Sequence, residues 1–275
     1  MRKILLITLA LCFASACSKQ AAQVQESLVV EGWIDDGGYP VVIVTTTIPR
    51  PDTPQEVSEL FKNIVRGAQV SISDGNNMVG LIGMPSSDNF PPYIYTTRRM
   101  KGEAGKTYSL NVSARGYDAE AVATVRTKKE LTGIRIEGTE GNYKIMCTFD
   151  ASPGEYYAFF VKDGNGLGWS PVFLGLVNGS ETPGTQTVAV IRGNMMSSIT
   201  AYSAGFSSGE KVQIRFCTMD FETWDYWRSL QDITGISFLV TYPFEEIISS
   251  NMHGAYGYWA GYGASEYEIT VRPMQ

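Results

Sequence analysis

The chain has 275 residues, 12% of them aromatic and 18% charged, with 22 basic residues against 28 acidic ones and a single histidine. Of the 22 basic residues, Arg2 and Lys3 would leave with an N-terminal signal, so the remaining chain carries 20 against 28 and stands near −8. A polyanionic nucleic acid is therefore excluded as a partner, since its phosphates select positive charge and no basic stripe is present. One histidine also excludes a zinc centre built from two or three imidazoles.

The first elements concern location. Arg2 and Lys3 precede an apolar run from Ile4 to Ala14, interrupted only by Thr8. That length suits the core of a signal peptide and falls short of the roughly 20 residues of a spanning helix. The run ends Ala14-Ser15-Ala16-Cys17, small residues before a cysteine as in a bacterial lipobox. Residues 1–17 are expected to form a lipoprotein signal, with Cys17 as the lipidated residue. The other reading is an ordinary signal peptide cut nearby, with Cys17 incidental. Several acyl chains at about 0.8 kcal/mol per buried methylene give a durable anchor. Ser18 stands where an inner-membrane retention signal would put aspartate. The expected location is the outer membrane, on its surface or periplasmic face. Residues 18–27, "SKQAAQVQES", are polar and patternless and read as a flexible tether.

Short β-rich runs bounded by turn residues come next. "SLVVEGWI" and "VVIVTTTI" flank the turn "DDGGYP", and the second is apolar on both faces at its start. "PRPDTPQEVSEL" is a proline-rich loop leading to a short amphipathic piece at Leu60, Phe61, Ile64 and Val65. "AQVSISDGNNMVGLI" reads as a hairpin turning at Asp74-Gly75. In "KTYSLNVSARGYDAEAVATV", Tyr108, Leu110 and Val112 share one face and Ser109, Asn111 and Ser113 the other. This order of strands and turns is that of a small immunoglobulin- or prealbumin-like β-sandwich, expected at residues 28–127. "RTKKELTG" is a charged boundary. A larger β-rich domain, sandwich or barrel-like, is expected at 128–275, with one helix. Asp220 is its N-cap, and Trp224, Tyr226, Trp227, Leu230 and Ile233 form an apolar stripe that plugs the sheet.

Few residues suggest chemistry. Cys147 and Cys217 remain once Cys12 and Cys17 are set aside. They either pair in an oxidising compartment or sit apart as buried thiols. His253 is the only base for a serine mechanism, and the nearest elbow-like segment, Ala201-Tyr202-Ser203-Ala204-Gly205, lacks the strand–turn–helix context. "KDGNGLGW", with Asp163 and Asn165, lacks the later acidic ligands of a calcium loop. The adjacent pairs Asp35-Asp36 and Glu245-Glu246 point to opposite faces of a strand and suit no glycosidase. No catalytic residue, metal or cofactor is therefore expected, and the chain is not read as an enzyme.

The segment "SSNMHGAYGYWAGYGASEYEI", residues 249–269, alternates glycines with aromatics. It reads either as packing beside the final strand or as an aromatic surface. In the second case Tyr256, Tyr258, Trp259 and Tyr262, with Trp169, would meet a ligand or partner.

Taken in order, the lipobox, "LVVEGWIDDGGYP", "GAQVSISDG", "GKTYSLNVSARGYDAE", "PGEYYAFFV", "VQIRFCTMDFETWDYWRSL" and "NMHGAYGYWAGYGASEY" resemble the outer-membrane lipoproteins grouped as domain of unknown function 4249. The late family motif reads Asn-Ile/Val-x-Gly-Gly-x-Gly-Tyr-Phe, and Asn251, Met252, Gly254, Gly257, Tyr258 and Trp259 stand in similar places. His253 falls at a variable position. The resemblance implies an accessory or ligand-binding lipoprotein beside a TonB-dependent receptor, with a small nutrient as ligand. It carries over no catalytic residue. The alternatives are a structural or adhesive surface protein and, less favoured, a hydrolase.

Overall fold

A computed structural model describes residues 26–47, 61–163, 168–192, 205–236 and 248–272. The lipobox with Cys17, most of the tether, the proline-rich loop, Asn165, Ser203 and the Glu245-Glu246 pair lie outside the described residues.

The chain is mainly β. Its first part contributes β1 (Leu28–Asp35), β2 (Val41–Thr46), β3 (Gln69–Ser73), β4 (Met78–Gly80), β5 (Ile82–Pro85), β6 (Tyr93–Thr96), β7 (Thr107–Ala114) and β8 (Tyr117–Thr124). Then come β9 (Gly133–Glu137), β10 (Lys144–Ala151), β11 (Tyr156–Asp163), β12 (Ser170–Asn178), β13 (Gly184–Val190) and β14 (Lys211–Met219). The helix α1 (Phe221–Ile236) and β15 (Tyr256–Thr270) complete the described elements.

Local chemistry accounts for the early hairpins. β1 alternates buried and half-buried side chains along its length, as a strand with one core face requires. Asp74 turns the β3–β4 hairpin, its Oδ1 accepting from the amides of Asn76 at 3.0 Å and Asn77 at 2.7 Å. Gly75 there adopts a φ of +89°, which glycine enters without steric cost. Tyr108, Leu110 and Val112 are buried, as their alternation predicts.

The strands form three sheets. The largest has the order β12-β11-β14-β15-β1-β2-β6-β5, and smaller ones have the orders β4-β3-β7-β8 and β13-β10-β9. The large sheet is central. The even residues of β1 and Trp259 of β15 pack with the four-stranded sheet into one core around Leu28, Val30, Ile72, Leu110 and Trp259. Further along the same face, Ile214 and Phe216 of β14 pack with the three-stranded sheet into a second core containing Phe149 and Tyr157. The opposite face carries Phe160, Cys217, Tyr258 and Tyr262 beneath α1. The first core is drawn from residues before 127 together with Met252 and Trp259, and the second from residues after it, so the central sheet runs across that position, with β1 paired in parallel with β15.

The central sheet is curled. Four strands, β14, β15, β1 and β2, separate β11 from β6. A flat sheet would hold β11 and β6 roughly 24 Å apart at 4.8 Å per step. Lys162 at the end of β11 nevertheless meets Asp88, in the β5–β6 connection, at 3.5 Å.

The helix forms where the sequence places it. The side chain of Asp220 accepts from the Thr223 amide at 3.0 Å and its carbonyl accepts from the Trp224 amide at 3.1 Å. Trp224 and Tyr226 are buried against the sheet, with Trp227 and Leu230 packed beside them.

Candidate functional site

The glycine–aromatic segment is the start of β15. Residues 256–262 pair in parallel with β1, and residues 263–270 pair antiparallel with β14. Each half thus has one edge paired with a strand, and residues 257–263 are buried. Trp259 is fully buried, and its Nε1 donates to the carbonyl of Tyr108 at 3.0 Å. Tyr258 and Tyr262 point to the other face. The Tyr258 ring lies 4.7 Å from that of Tyr226 and 5.1 Å from that of Trp227, and Trp227 Nε1 donates to the Tyr262 hydroxyl at 2.9 Å. Burial holds both phenols well above their usual range.

The expectation of an aromatic surface is corrected accordingly. Tyr258, Trp259 and Tyr262 are core residues, since a central strand of a covered sheet has no solvent face. Tyr256 alone of that group is exposed, at 57%, and Trp169 is half-buried beside Arg215.

The glycines answer a different need. The connection from β8 to β9 crosses the central sheet along the odd-numbered residues of β15. The Arg126 amide donates to the Gly261 carbonyl at 3.2 Å, and the Thr218 hydroxyl, beside Gly263, donates to the Thr127 carbonyl at 2.6 Å. A Cβ at Gly261 would stand 2.5 Å from the backbone of Thr124 and Val125, and one at Gly263 2.5 Å from that of Thr127. Further along, Ser265 donates to Glu130 at 2.9 Å and the Tyr267 hydroxyl accepts from the Leu131 amide at 2.9 Å. The charged boundary "RTKKELTG" is thus a strap laid on β15. Glycine is required wherever the two backbones touch.

Under α1 lies an ionic pair that sequence reading missed. Arg215 of β14 reaches across β15 to Asp35 of β1. The guanidinium sits 5.4 Å from the Tyr262 ring and 5.9 Å from those of Trp33 and Trp169. Its Nε is buried without a hydrogen-bond partner. Burial opposes the charge on Arg215, and Asp35 more than offsets this, so the arginine stays charged. Glu31, two turns of the pleat away on the same face, is half-buried, and burial raises its carboxyl above the usual range. The available signal was an arginine within the apolar run "KVQIRFCTMD".

Cys147 and Cys217 are both free and buried. The alternative of a disulfide between them is corrected. Cys147 belongs to the core under the three-stranded sheet and Cys217 to the opposite, helix-covered face of the central sheet.

His253 lies elsewhere, on the outer face of the four-stranded sheet. Two cross-strand rows meet there in register: Gln69, Ser113 and Asp118 in one, and Ser71, Asn111 and Glu120 in the other. His253 extends the second row through a bridge to Glu120, with amide-to-carbonyl distances of 3.0 and 2.8 Å. Gly254 continues the wall at a φ of +82°, where a Cβ would collide with the Asp118 carbonyl. These groups, with Leu81 and Gly80 at the far side, line an open trough of about 870 Å³. Alternation had placed Asn111 and Ser113 on a polar face; their alignment with β3 and β8 is tertiary information. Among the described residues, no three His, Cys, Asp or Glu side chains are grouped to hold a metal ion, and no helix is long and apolar enough to cross a membrane.

A family model described as Domain of unknown function (DUF4249) matches residues 18–268. No curated protein matches the chain.

Proposed function

The chain belongs to the family of domain of unknown function 4249, and on that premise we propose that it is an outer-membrane lipoprotein, held by lipid on Cys17, which binds a small polar ligand as an accessory to a TonB-dependent receptor. The observation that carries the binding role is the open trough of about 870 Å³ lined by hydrogen-bonding side chains on strands. A cavity of that size falls in the range of small-molecule sites. Its polar groups stand on paired strands, which fix their backbone positions before binding and leave only side-chain ordering to be met. The lipobox ending in Cys17 supports the anchor, and the receptor association extends what the family resemblance implies.

The test is recovery of the tagged native protein from membranes in mild detergent, beside a Cys17→Ser variant. The expected outcome is wild-type protein in the outer-membrane fraction, recovered in stoichiometric complex with one TonB-dependent receptor, and the variant lost from that fraction. Recovery of the lipoprotein alone, under conditions that preserve other receptor complexes, would remove the receptor role. An unchanged membrane location for Cys17→Ser would remove the anchor.

A further inference from the structure

The curled central sheet has an inner face, and α1 lies on it. Lys162 stands on the same face of β11 as Phe160, which packs beneath α1, and its side chain spans the curl to Asp88. The chain entering β12 also meets the β5–β6 connection, since a Cβ on Gly168 would lie 3.5 Å from the Phe90 amide nitrogen. A sheet of eight strands closed on itself has room for side chains or for one small ligand. The helix fills part of that room, packing on β11, β12 and β15. β1 is paired on both sides along Val29–Trp33, and its even residues are buried in the core on the outer face. Its odd residues Val29, Glu31, Trp33 and Asp35 are nevertheless all half-buried. Their accessible surface therefore opens into the curl.

Arg215 is aimed at this space. Asp35 takes its Nη2, and its Nε is buried with no hydrogen-bond acceptor among the described residues. The neighbouring Cys217 thiol is only a weak acceptor. Buried polar groups are satisfied in nearly all proteins, so this donor calls for an acceptor. The way to it is open, because the Asp35 side chain keeps 22% of its surface beside an arginine that keeps 6%. Trp33 and Trp169, each 5.9 Å from the guanidinium, are half-buried and present ring surface next to the open N–H.

We infer that this inner cleft binds an uncharged saccharide, one hydroxyl seated between Arg215 Nε and Asp35 and the apolar face of a sugar ring laid on Trp33 or Trp169. The site is separate from the trough and does not rest on it. A hydroxyl accepts and donates at once, which matches one open donor beside a carboxylate. Aromatic walls with a few placed polar groups are the usual make-up of a small-molecule site. Charge argues against the alternatives. An anion would meet Glu31, Asp35 and Glu266, the last directly across from Arg215 on β15, and would find a single N–H in place of a bidentate fork. A cation would meet the guanidinium itself.

The test uses the full-length lipoprotein on a histidine-free tag, in a detergent that carries no sugar. An array of uncharged, acidic and amino oligosaccharides is probed with it, and the strongest binder is titrated by calorimetry. Binding is expected among the uncharged members and should be weaker for their charged counterparts. Trp169→Leu should weaken it about tenfold, and the double variant Asp35→Leu, Arg215→Met at least as much. The double variant strands no charge and Trp169 is only half-buried, so both are expected to fold, as urea unfolding will show. Gly133→Ala, on β9, should bind as the wild type does. The imidazole NMR signals of His253, the only histidine of the chain, should stay in place, because the trough is on another sheet. The absence of any uncharged binder, equal or tighter binding of the charged counterparts, or unchanged affinity in both variants would each overturn the inference. A saturable shift of the His253 signals would overturn it too and give the sugar to the trough. The receptor association is decided by the recovery experiment alone.

Discussion

Asn251 and Trp259 are joined by two hydrogen bonds, the Asn251 Nδ2 donating to the Trp259 carbonyl at 2.8 Å and the Trp259 amide donating to Asn251 Oδ1 at 3.0 Å. A side-chain amide here takes the place of a neighbouring strand. It completes the edge of β15 along the half that pairs with β1 but not with β14. Ser250 assists by donating to the Gly257 carbonyl at 2.6 Å. The arrangement fixes the strand that sets Trp259 in the core under the four-stranded sheet and Tyr258 in the one beneath α1.

Replacing Asn251 with alanine leaves both backbone groups of Trp259 without partners in a buried place. Each unsatisfied group costs about 1–3 kcal/mol. Asn251→Ala is expected to lower stability by about 3 kcal/mol in urea unfolding. Asn251→Asp keeps the acceptor but sets a carboxylate oxygen against the Trp259 carbonyl, so its stability should fall at least as far as that of Asn251→Ala at neutral pH.

The strap over β15 makes a sharper demand. Gly261→Ala pushes a methyl into the Thr124 and Val125 backbone, which cannot rotate away. Overpacking of this kind costs about 1–3 kcal/mol, and the upper end is expected because the obstacle is main chain. Gly133→Ala is the control. Its added Cβ meets only Thr148 at an ordinary 3.7 Å, so its change in stability by urea unfolding should be within about 0.5 kcal/mol.

Arg215 and Asp35 should be strongly coupled. Asp35→Ala leaves a buried guanidinium whose Nε already lacks a partner, and breaking such a pair costs about 3–5 kcal/mol. The double variant Asp35→Leu, Arg215→Met should be more stable than Asp35→Ala alone, because no charge is stranded. A double-mutant cycle by chemical denaturation measures this coupling.

Glu31 gives a pH dependence with a definite sign. Its carboxyl is raised in the folded chain by burial, so the fold holds the proton more tightly than the unfolded chain does. The resulting stability is present below the ordinary glutamate range and is lost as the pH rises through the folded value. Glu31→Gln should therefore stabilise the protein at neutral pH, by about 1 kcal/mol if the cost is that of one poorly paired polar group. Its stability should also fall less between acid and neutral pH than that of the wild type.

The two internal cysteines should be inert. Burial raises the thiols of Cys147 and Cys217, each to about 12, and the thiolate is the reactive form. A thiol reagent such as dithionitrobenzoate should label neither of these two in the folded protein and both in denaturant. Labelling of fewer than two in denaturant without reductant would reveal a disulfide.

Much of this architecture is legible in the sequence because it depends on neighbours in the chain. Period-two alternation gives the faces of β7, Asp74-Gly75 gives a turn, and Asp220 with its aromatic stripe gives α1, each fixed by contacts within a few residues. The residues from Ser249 to Ile269 are different. Their glycines and aromatics fit either packing beside the final strand or an aromatic surface, and packing is selected only when the β8–β9 strap is laid across Gly261 and Gly263 and β1 and β14 pair with the two halves of β15. The same holds for Asp35 and Arg215, which are 180 residues apart in the chain, and for the row that ends at His253. Local patterning decides which face of a strand is apolar. Which distant strand lies against that face, and so whether an aromatic is core or surface, is decided only when the sheets pair. That pairing is set by the summed burial of three cores, which no single segment encodes.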